Sequence, residues 1–138
     1  MNKVFVDTDV ILDFLLDRLP FADYASVLFS LSEEGKIRLF TSGLVFSNCY
    51  YVLRRIASHR KVMEKLNMLS AYVEVISMGS STVKIALELG FKDFEDALQN
   101  FAAKEAKLQI LLTRNTKDYS SSDLSVMTPE VYLASFHA

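Results

Sequence analysis

The chain predicts an α/β fold built on a central, mainly parallel sheet of about five strands flanked by helices. Two patterns and a count carry that expectation. Short apolar runs of strand length alternate with longer segments whose apolar residues recur at helical spacing. The segments between successive strands are long enough for crossovers, which implies parallel pairing. Hydrophobic residues make up 51% of 138 residues, ample material for one core, so residues 1–138 are expected to form a single domain.

The first strand is expected near Lys3–Val6, followed by helices near Val10–Leu16 and Phe21–Glu34. A strand at Ile37–Thr41 leads to helices near Leu44–Ile56 and Lys61–Ala71, then a strand at Val73–Ser77. Helices follow at Thr82–Leu89 and Phe94–Ala106. The latter is the most legible, because Phe94, Ala97, Leu98, Phe101 and Ala102 form one apolar stripe, with Asp93, Asp96 and Asn100 on a neighbouring face. Strands at Gln109–Thr113 and Leu124–Met127 precede a last helix that Thr128 can cap, with Pro129 at its first position. No repeat, low-complexity tract or Ser/Pro/Gly-rich stretch interrupts this order.

Charged residues interrupt every candidate membrane span, and Lys3 and Asp7 precede any run that could serve as a signal peptide. A soluble cytoplasmic protein is therefore expected. Cys49 is the single cysteine; it excludes an internal disulfide and reads as core packing beside Val45, Val52 and Leu53. The formal net charge of -2 argues against a protein held to nucleic acid by bulk electrostatics. The charges are nevertheless segregated. Arg54, Arg55, Arg60, Lys61 and Lys65 face a lone Glu64 within residues 54–65, whereas Asp7, Asp9, Asp13 and Asp17 cluster near the N-terminus. A basic flank beside an acidic centre suits a polyanionic substrate.

Asp7 ends the first strand, where open parallel sheets collect their ligands, and Thr113-Arg114-Asn115 should lie at an equivalent strand end. With one cysteine and only His59 and His137, the chain cannot easily build a soft metal site. Clustered Asp oxygens select a hard cation such as Mg²⁺ or Mn²⁺. Such an ion neutralises gathered carboxylates and activates water for attack on phosphorus, which points to phosphate-ester hydrolysis. Asp9, Asp13 and Asp17 recur every four residues and are expected to form a solvated helix face, with Asp9 as its cap.

Four segments in order, Val4-Phe5-Val6-Asp7-Thr8-Asp9-Val10, Thr41-Ser42 leading into Asn48-Cys49-Tyr50-Tyr51-Val52-Leu53-Arg54-Arg55, Asp93-Phe94-Glu95-Asp96-Ala97-Leu98 and Leu112-Thr113-Arg114-Asn115-Thr116-Lys117-Asp118-Tyr119, resemble the PIN domain. That family is the metal-dependent ribonuclease fold of many toxins in bacterial toxin-antitoxin pairs. The resemblance covers nearly the whole chain. It implies a three-layer fold whose acidic pocket binds Mg²⁺ or Mn²⁺ through Asp7 and Asp96, completed by Asp93 and Asp118. Thr8, Asp9, Asn48, Thr113 and Asn115 would support the pocket, and Arg54 or Arg55 would contact RNA phosphates. A homodimer and a small antitoxin partner are also implied. Asn48 stands where many PIN domains carry Glu and Asn115 where some carry Asp; the chain resembles a subgroup with the Asp-Phe-Glu-Asp-Ala run and Asn at the middle-helix position. An amide offers a neutral oxygen and cannot act as a general base, so a PIN-fold module that binds nucleic acid or protein without cutting is the second reading. The third is a haloacid-dehalogenase-like phosphatase, which Asp7-Thr8-Asp9 after a hydrophobic strand also resembles. Tyr50, Tyr51 and Tyr119 are candidates for base stacking, or core aromatics.

Overall fold

The computed structural model describes residues 2–136. Its elements are β1 (Asn2–Val6), α1 (Thr8–Leu15), α2 (Phe21–Glu33), β2 (Ile37–Ser42), α3 (Gly43–Leu53), α4 (His59–Ser70), β3 (Val73–Ile76), α5 (Ser80–Glu88), α6 (Phe94–Glu105), β4 (Ile110–Leu112), a 3₁₀ turn (Thr116–Tyr119), β5 (Ser125–Met127) and α7 (Pro129–Ser135). The expected strands and helices are present and shifted at their ends by at most three residues. The 3₁₀ turn is an addition. Its four residues are too few to show a period, and only Tyr119 among them is buried.

All five strands are parallel, in the order β3-β2-β1-β4-β5. The order runs outward from β1 in two directions, so β1 and β4 flank the point where the connections reverse. At such a point the crevice beyond the strand ends receives ligands, because neither crossover covers it. Val4, Phe5 and Val6 are fully buried, as are Leu111 and Leu112, so the two central strands are apolar on both faces, as parallel strands covered by helices must be. Polar groups begin where these strands stop. Asp7 donates its backbone N–H to Leu112 O at 3.0 Å and Thr113 donates to Met127 O at 3.1 Å, extending the ladder to the site residues themselves.

Two sequence expectations for the helices are corrected. α1 begins at Thr8, with Asp7 rather than Asp9 as its cap, and it ends at Leu15. Asp17 lies beyond it with φ of 51°, so the four-residue spacing does not continue as a helical face. Asp13 is only 1% exposed, because α1 is covered by α2 on one side and by the segment after β4 on another. On α6 the apolar stripe starts one turn late. Phe94, the helix's first residue, is 47% exposed, and Ala97 and Phe101 pack against Ala86 of α5 and against Phe91. Asn100 is buried and accepts a hydrogen bond from Ser122 Oγ, which removes it from any acidic face. Cys49 is buried in the main core, as its apolar neighbours predicted, and burial pushes its thiol up to about 12. No helix among the described residues is long and apolar enough to cross a membrane.

Candidate active site

Asp7 occupies two roles at once. As the cap of α1 its Oδ1 accepts the Thr8 N–H at 2.8 Å, while Oδ2 accepts the hydroxyls of Thr113 and Tyr119, each at 3.1 Å. Three donor groups reach the carboxylate, none of them a cation that would neutralise it. Burial, then the negative charge of Asp9, and more weakly that of Asp96, push it up to about 7 despite the bonds from Thr8 and Thr113. Asp96, in the first turn of α6, is half-buried. It is pushed up to about 6 by burial and by the charges of Asp93, Asp118 and Glu95, against a lowering bond from Tyr119. Tyr119 is therefore a structural aromatic whose hydroxyl serves this pocket, not a base-stacking platform. Burial and the surrounding acids push its phenol far above the ordinary range.

Asp93 caps α6, its Oδ1 accepting the Asp96 N–H at 2.9 Å, which leaves its charge beside Asp96. Asp118 is exposed on the 3₁₀ turn and acts on Asp96 from the opposite segment. Asp9 clasps the chain after β4: its Oδ2 accepts the Arg114 N–H at 2.9 Å, the Thr113 hydroxyl at 3.2 Å and the Asn115 amide at 3.2 Å. Burial raises its pKa even so. Asn48, half-buried on α3, donates Nδ2 to Glu95 Oε1 at 2.7 Å and to the Thr8 hydroxyl at 3.3 Å. Arg54 and Arg55 are exposed just past the end of α3, six and seven residues beyond Asn48. Neither is hydrogen-bonded to an acid of the site among the described residues. Arg54 donates to Ala57 O, and Tyr50 is bonded to His59 while Tyr51 is exposed.

Three residues absent from the sequence-based site belong to its surroundings. Glu95 brings a carboxylate to Asn48, the position where the resemblance leads one to expect an acid. Asp13 forms a fork with Arg114, accepting Nε at 2.7 Å and Nη2 at 3.1 Å, and also accepts Arg18 Nε at 2.9 Å. Arg114 lies with its guanidinium carbon 4.0 Å from the centroid of the Phe21 ring. A sequence signal existed only for Glu95, which sits between Asp93 and Asp96 at the start of the same helix.

Among the described residues, no three His, Cys, Asp or Glu side chains come close enough together to form a ready-made cage for a metal. The fit to a hard cation rests on donor chemistry. Every candidate ligand is a carboxylate oxygen, and Asp7 and Asp96 are both raised, first by burial and then by neighbouring negative charge, a cost that a divalent cation would relieve.

The pocket at the reversal point of a parallel sheet, walled by aspartates from β1's end and α6's start, defines an acidic-site α/β protein of the kind the sequence resembles. A family model described as PIN domain matches residues 3–117, and the chain belongs to the PIN domain family. It is 33% identical over 136 residues, covering 95% of this chain and 93% of the relative, to ribonuclease VapC1 of Aquifex aeolicus (strain VF5). Two solved structures share the fold. One is a toxin-antitoxin complex from Klebsiella pneumoniae, with a TM-score of 0.70, 19% identity and coverage of 91% of this chain and 97% of that one. The other is VapC20 of Mycobacterium tuberculosis, described as a sarcin-ricin loop cleaving toxin, with a TM-score of 0.67, 20% identity and coverage of 89% and 98%. The family match decides between the two resemblances of the Asp7-Thr8-Asp9 run, in favour of the PIN domain over the phosphatase.

Proposed function

We propose that this protein is a metal-dependent endoribonuclease, the toxin of a toxin-antitoxin pair, acting through the acidic pocket at the ends of β1 and β4. The observation that carries the reading is the pair Asp7 and Asp96: two carboxylates from separate elements, both raised first by burial and then by neighbouring acids, Asp9 for Asp7 and Asp93 and Asp118 for Asp96, at the position where the fold leaves a crevice. Such an arrangement costs stability and invites a cation. The kinship with a protein named ribonuclease VapC1 supplies the substrate class, and the shared fold of toxin-antitoxin complexes supports a small antitoxin as partner.

Asp7 and Asp96 would hold Mg²⁺ or Mn²⁺, with Asp93 and Asp118 adding negative charge at the pocket's mouth. A bound divalent cation would polarise a phosphoryl oxygen and make an attacking water more acidic. The remaining work falls to side chains. Thr113 and Tyr119 orient Asp7 by donating to the oxygen not engaged in capping α1. Asn48 holds Glu95 at the rim, where an amide donor keeps one more carboxylate in place without adding a charge of its own. Asn115 secures the loop after β4 through Asp9. Arg54 and Arg55 would meet the RNA backbone outside the pocket, a contact that salt should weaken.

The test is cleavage of single-stranded RNA in Mn²⁺ by the purified protein and by Asp7→Asn. Products bearing 5′-phosphates are expected, since attack by water displaces the 3′ oxygen, and the variant should be slower by at least about 100-fold. Cleavage that persists in EDTA and survives Asp7→Asn would overturn the proposal. RNA binding with no turnover in any divalent metal would favour the non-catalytic module, the reading that Asn48 and Asn115 support.

A further inference from the structure

A cavity of about 280 Å³ opens between α2, the segment after β4 and the start of α7, and the hydrolytic chemistry makes no use of it. Pro20, Phe21 and Pro129 give it apolar walls, and Tyr24, Arg114 and Glu130 give it polar ones. We propose that it binds a guanine base of single-stranded RNA, with Glu130 accepting from the base's N1–H and N2–H and Arg114 donating to its O6. The assignment rests on the ribonuclease reading above and adds base selection to it.

The cavity is tied to the acidic site through the chain after β4. Thr113 donates to Asp7, and the next residue, Arg114, lines the cavity while its backbone N–H is held by Asp9. Arg114 is held by its neighbours rather than free to turn. Asp13 takes Nε and Nη2 of Arg114, and the Phe21 ring lies under the guanidinium, which fixes its plane. Among the described residues Nη1 has no hydrogen-bond partner and remains available as a donor. Glu130 stands exposed on the other side, its Oε1 accepting the Tyr24 hydroxyl, while Oε2 has no partner among the described residues. The cavity thus presents a cationic donor and an anionic acceptor between apolar walls.

That pairing discriminates among bases. Guanine alone carries an acceptor, O6, beside two adjacent donors, N1–H and N2–H, that a carboxylate can accept together. Adenine offers the carboxylate one donor and a repelling ring nitrogen, cytosine offers its amine beside acceptors, and uracil flanks its one imino donor with oxygens. Single-stranded RNA is commonly read in this way, with an unstacked base beside aromatic or guanidinium planes and hydrogen bonds to its Watson–Crick edge.

Titration of the full-length protein with 5′-GMP, 5′-IMP, 5′-AMP and 5′-UMP tests the proposal, because all four carry the same phosphate and differ only in the base. Calorimetry should give GMP about 10-fold tighter binding than AMP, with IMP, which lacks the N2 amine, in between. Backbone amide signals of Phe21, Arg114 and Glu130 should move on adding GMP. Glu130→Gln, a substitution on the surface, should abolish the preference for GMP while retaining the thermal melt. Equal affinity for the four nucleotides, signal changes confined to the Asp7 and Asp96 side, or a preference that survives Glu130→Gln would each overturn the proposal. The measurement needs no cleavage. Selective GMP binding by a protein that cuts no RNA would leave the cavity assignment standing and remove the ribonuclease reading; cutting without selective binding would do the reverse.

Discussion

Asp7→Asn should make the metal-free protein more stable at pH 8, although it removes a residue placed at the centre of the site. In the folded protein the Asp7 carboxyl is raised from 3.8 to about 7, chiefly by burial. A raised acid favours the folded state in its protonated form. The stability it contributes is fully present below about pH 4 and is lost as pH rises through about 7, so at pH 8 the whole cost of the buried charge is felt. A shift of roughly three units corresponds to about 4 kcal/mol at 1.36 kcal/mol per unit. Part of that comes from the charges of Asp9 and, least, Asp96 beside it. The amide removes the charge but presents an N–H₂ where Thr113 and Tyr119 now donate, which forces those hydroxyls to reorient and costs about 1–2 kcal/mol. The net gain is about 2–3 kcal/mol.

Urea unfolding in EDTA at pH 5, 6, 7 and 8 reads this directly. Wild type should lose stability steadily across that range, with Asp96, raised to about 6, adding slope at its acid end. Asp7→Asn should be flatter and should melt ~5–10 °C higher at pH 8. Adding Mn²⁺ should close the gap by stabilising wild type alone, because a ligand that binds only the folded state shifts its population. A wild type equally stable from pH 5 to pH 8, or an Asp7→Asn protein that is less stable at pH 8, would refute the account of Asp7 as a strained buried charge.

Other perturbations separate the supporting residues. Asp13→Ala should cost about 2–3 kcal/mol in urea unfolding, less than for a fully buried pair because the heads of Arg18 and Arg114 are partly exposed. Asn48→Asp should place a carboxylate against Glu95 where a hydrogen bond of 2.7 Å now stands, lowering the metal-free melting temperature and giving no gain in RNA cleavage at low Mn²⁺; Asn48→Asp with Glu95→Gln should restore the melt. Thr113→Val should move the acid limb of the cleavage profile to higher pH, since the hydroxyl lowers the Asp7 pKa, and Thr113→Ser should retain the wild-type profile.

Patterns within one element were legible in the sequence, and pairings between distant elements were not. The strands and helices followed from periodicity, and Asp7 and Asp96 stood out because each begins a helix next to a recognisable apolar run. Thr128 and Pro129 marked the start of α7 by local chemistry alone. Asp13 gave the opposite result. Its spacing from Asp9 and Asp17 suggested a wet helix face, whereas its environment is set by Arg114, 101 residues later, and by a helix that stops at Leu15. Tyr119 likewise acquires its role from Asp7, 112 residues earlier, and Glu95 from Asn48, 47 residues earlier. The stripe on α6 misplaced Phe94 and Asn100 because periodicity states which residues share a face. It does not state how far the neighbouring elements extend along it.

The distribution of hydrogen bonds around the acids indicates what the site is built to do. Thr113 has one hydroxyl proton, yet its oxygen stands 3.1 Å from Asp7 and 3.2 Å from Asp9 while accepting the Asn115 N–H at 3.1 Å. One carboxylate must therefore go without that donor at any moment. Asp9 loses little by this, since Arg114 N–H and the Asn115 amide also reach it, and Asp13 fixes Arg114 a second time through its guanidinium. These bonds staple α1 to the segment after β4 independently of Asp7. The strain consequently falls on Asp7 and Asp96, whose negative charge is neutralised by no side chain among the described residues. A fold that holds the crevice open by separate ties can carry two underneutralised acids at its centre, and under the function proposed above a cation entering there would relieve the charge that no side chain offsets.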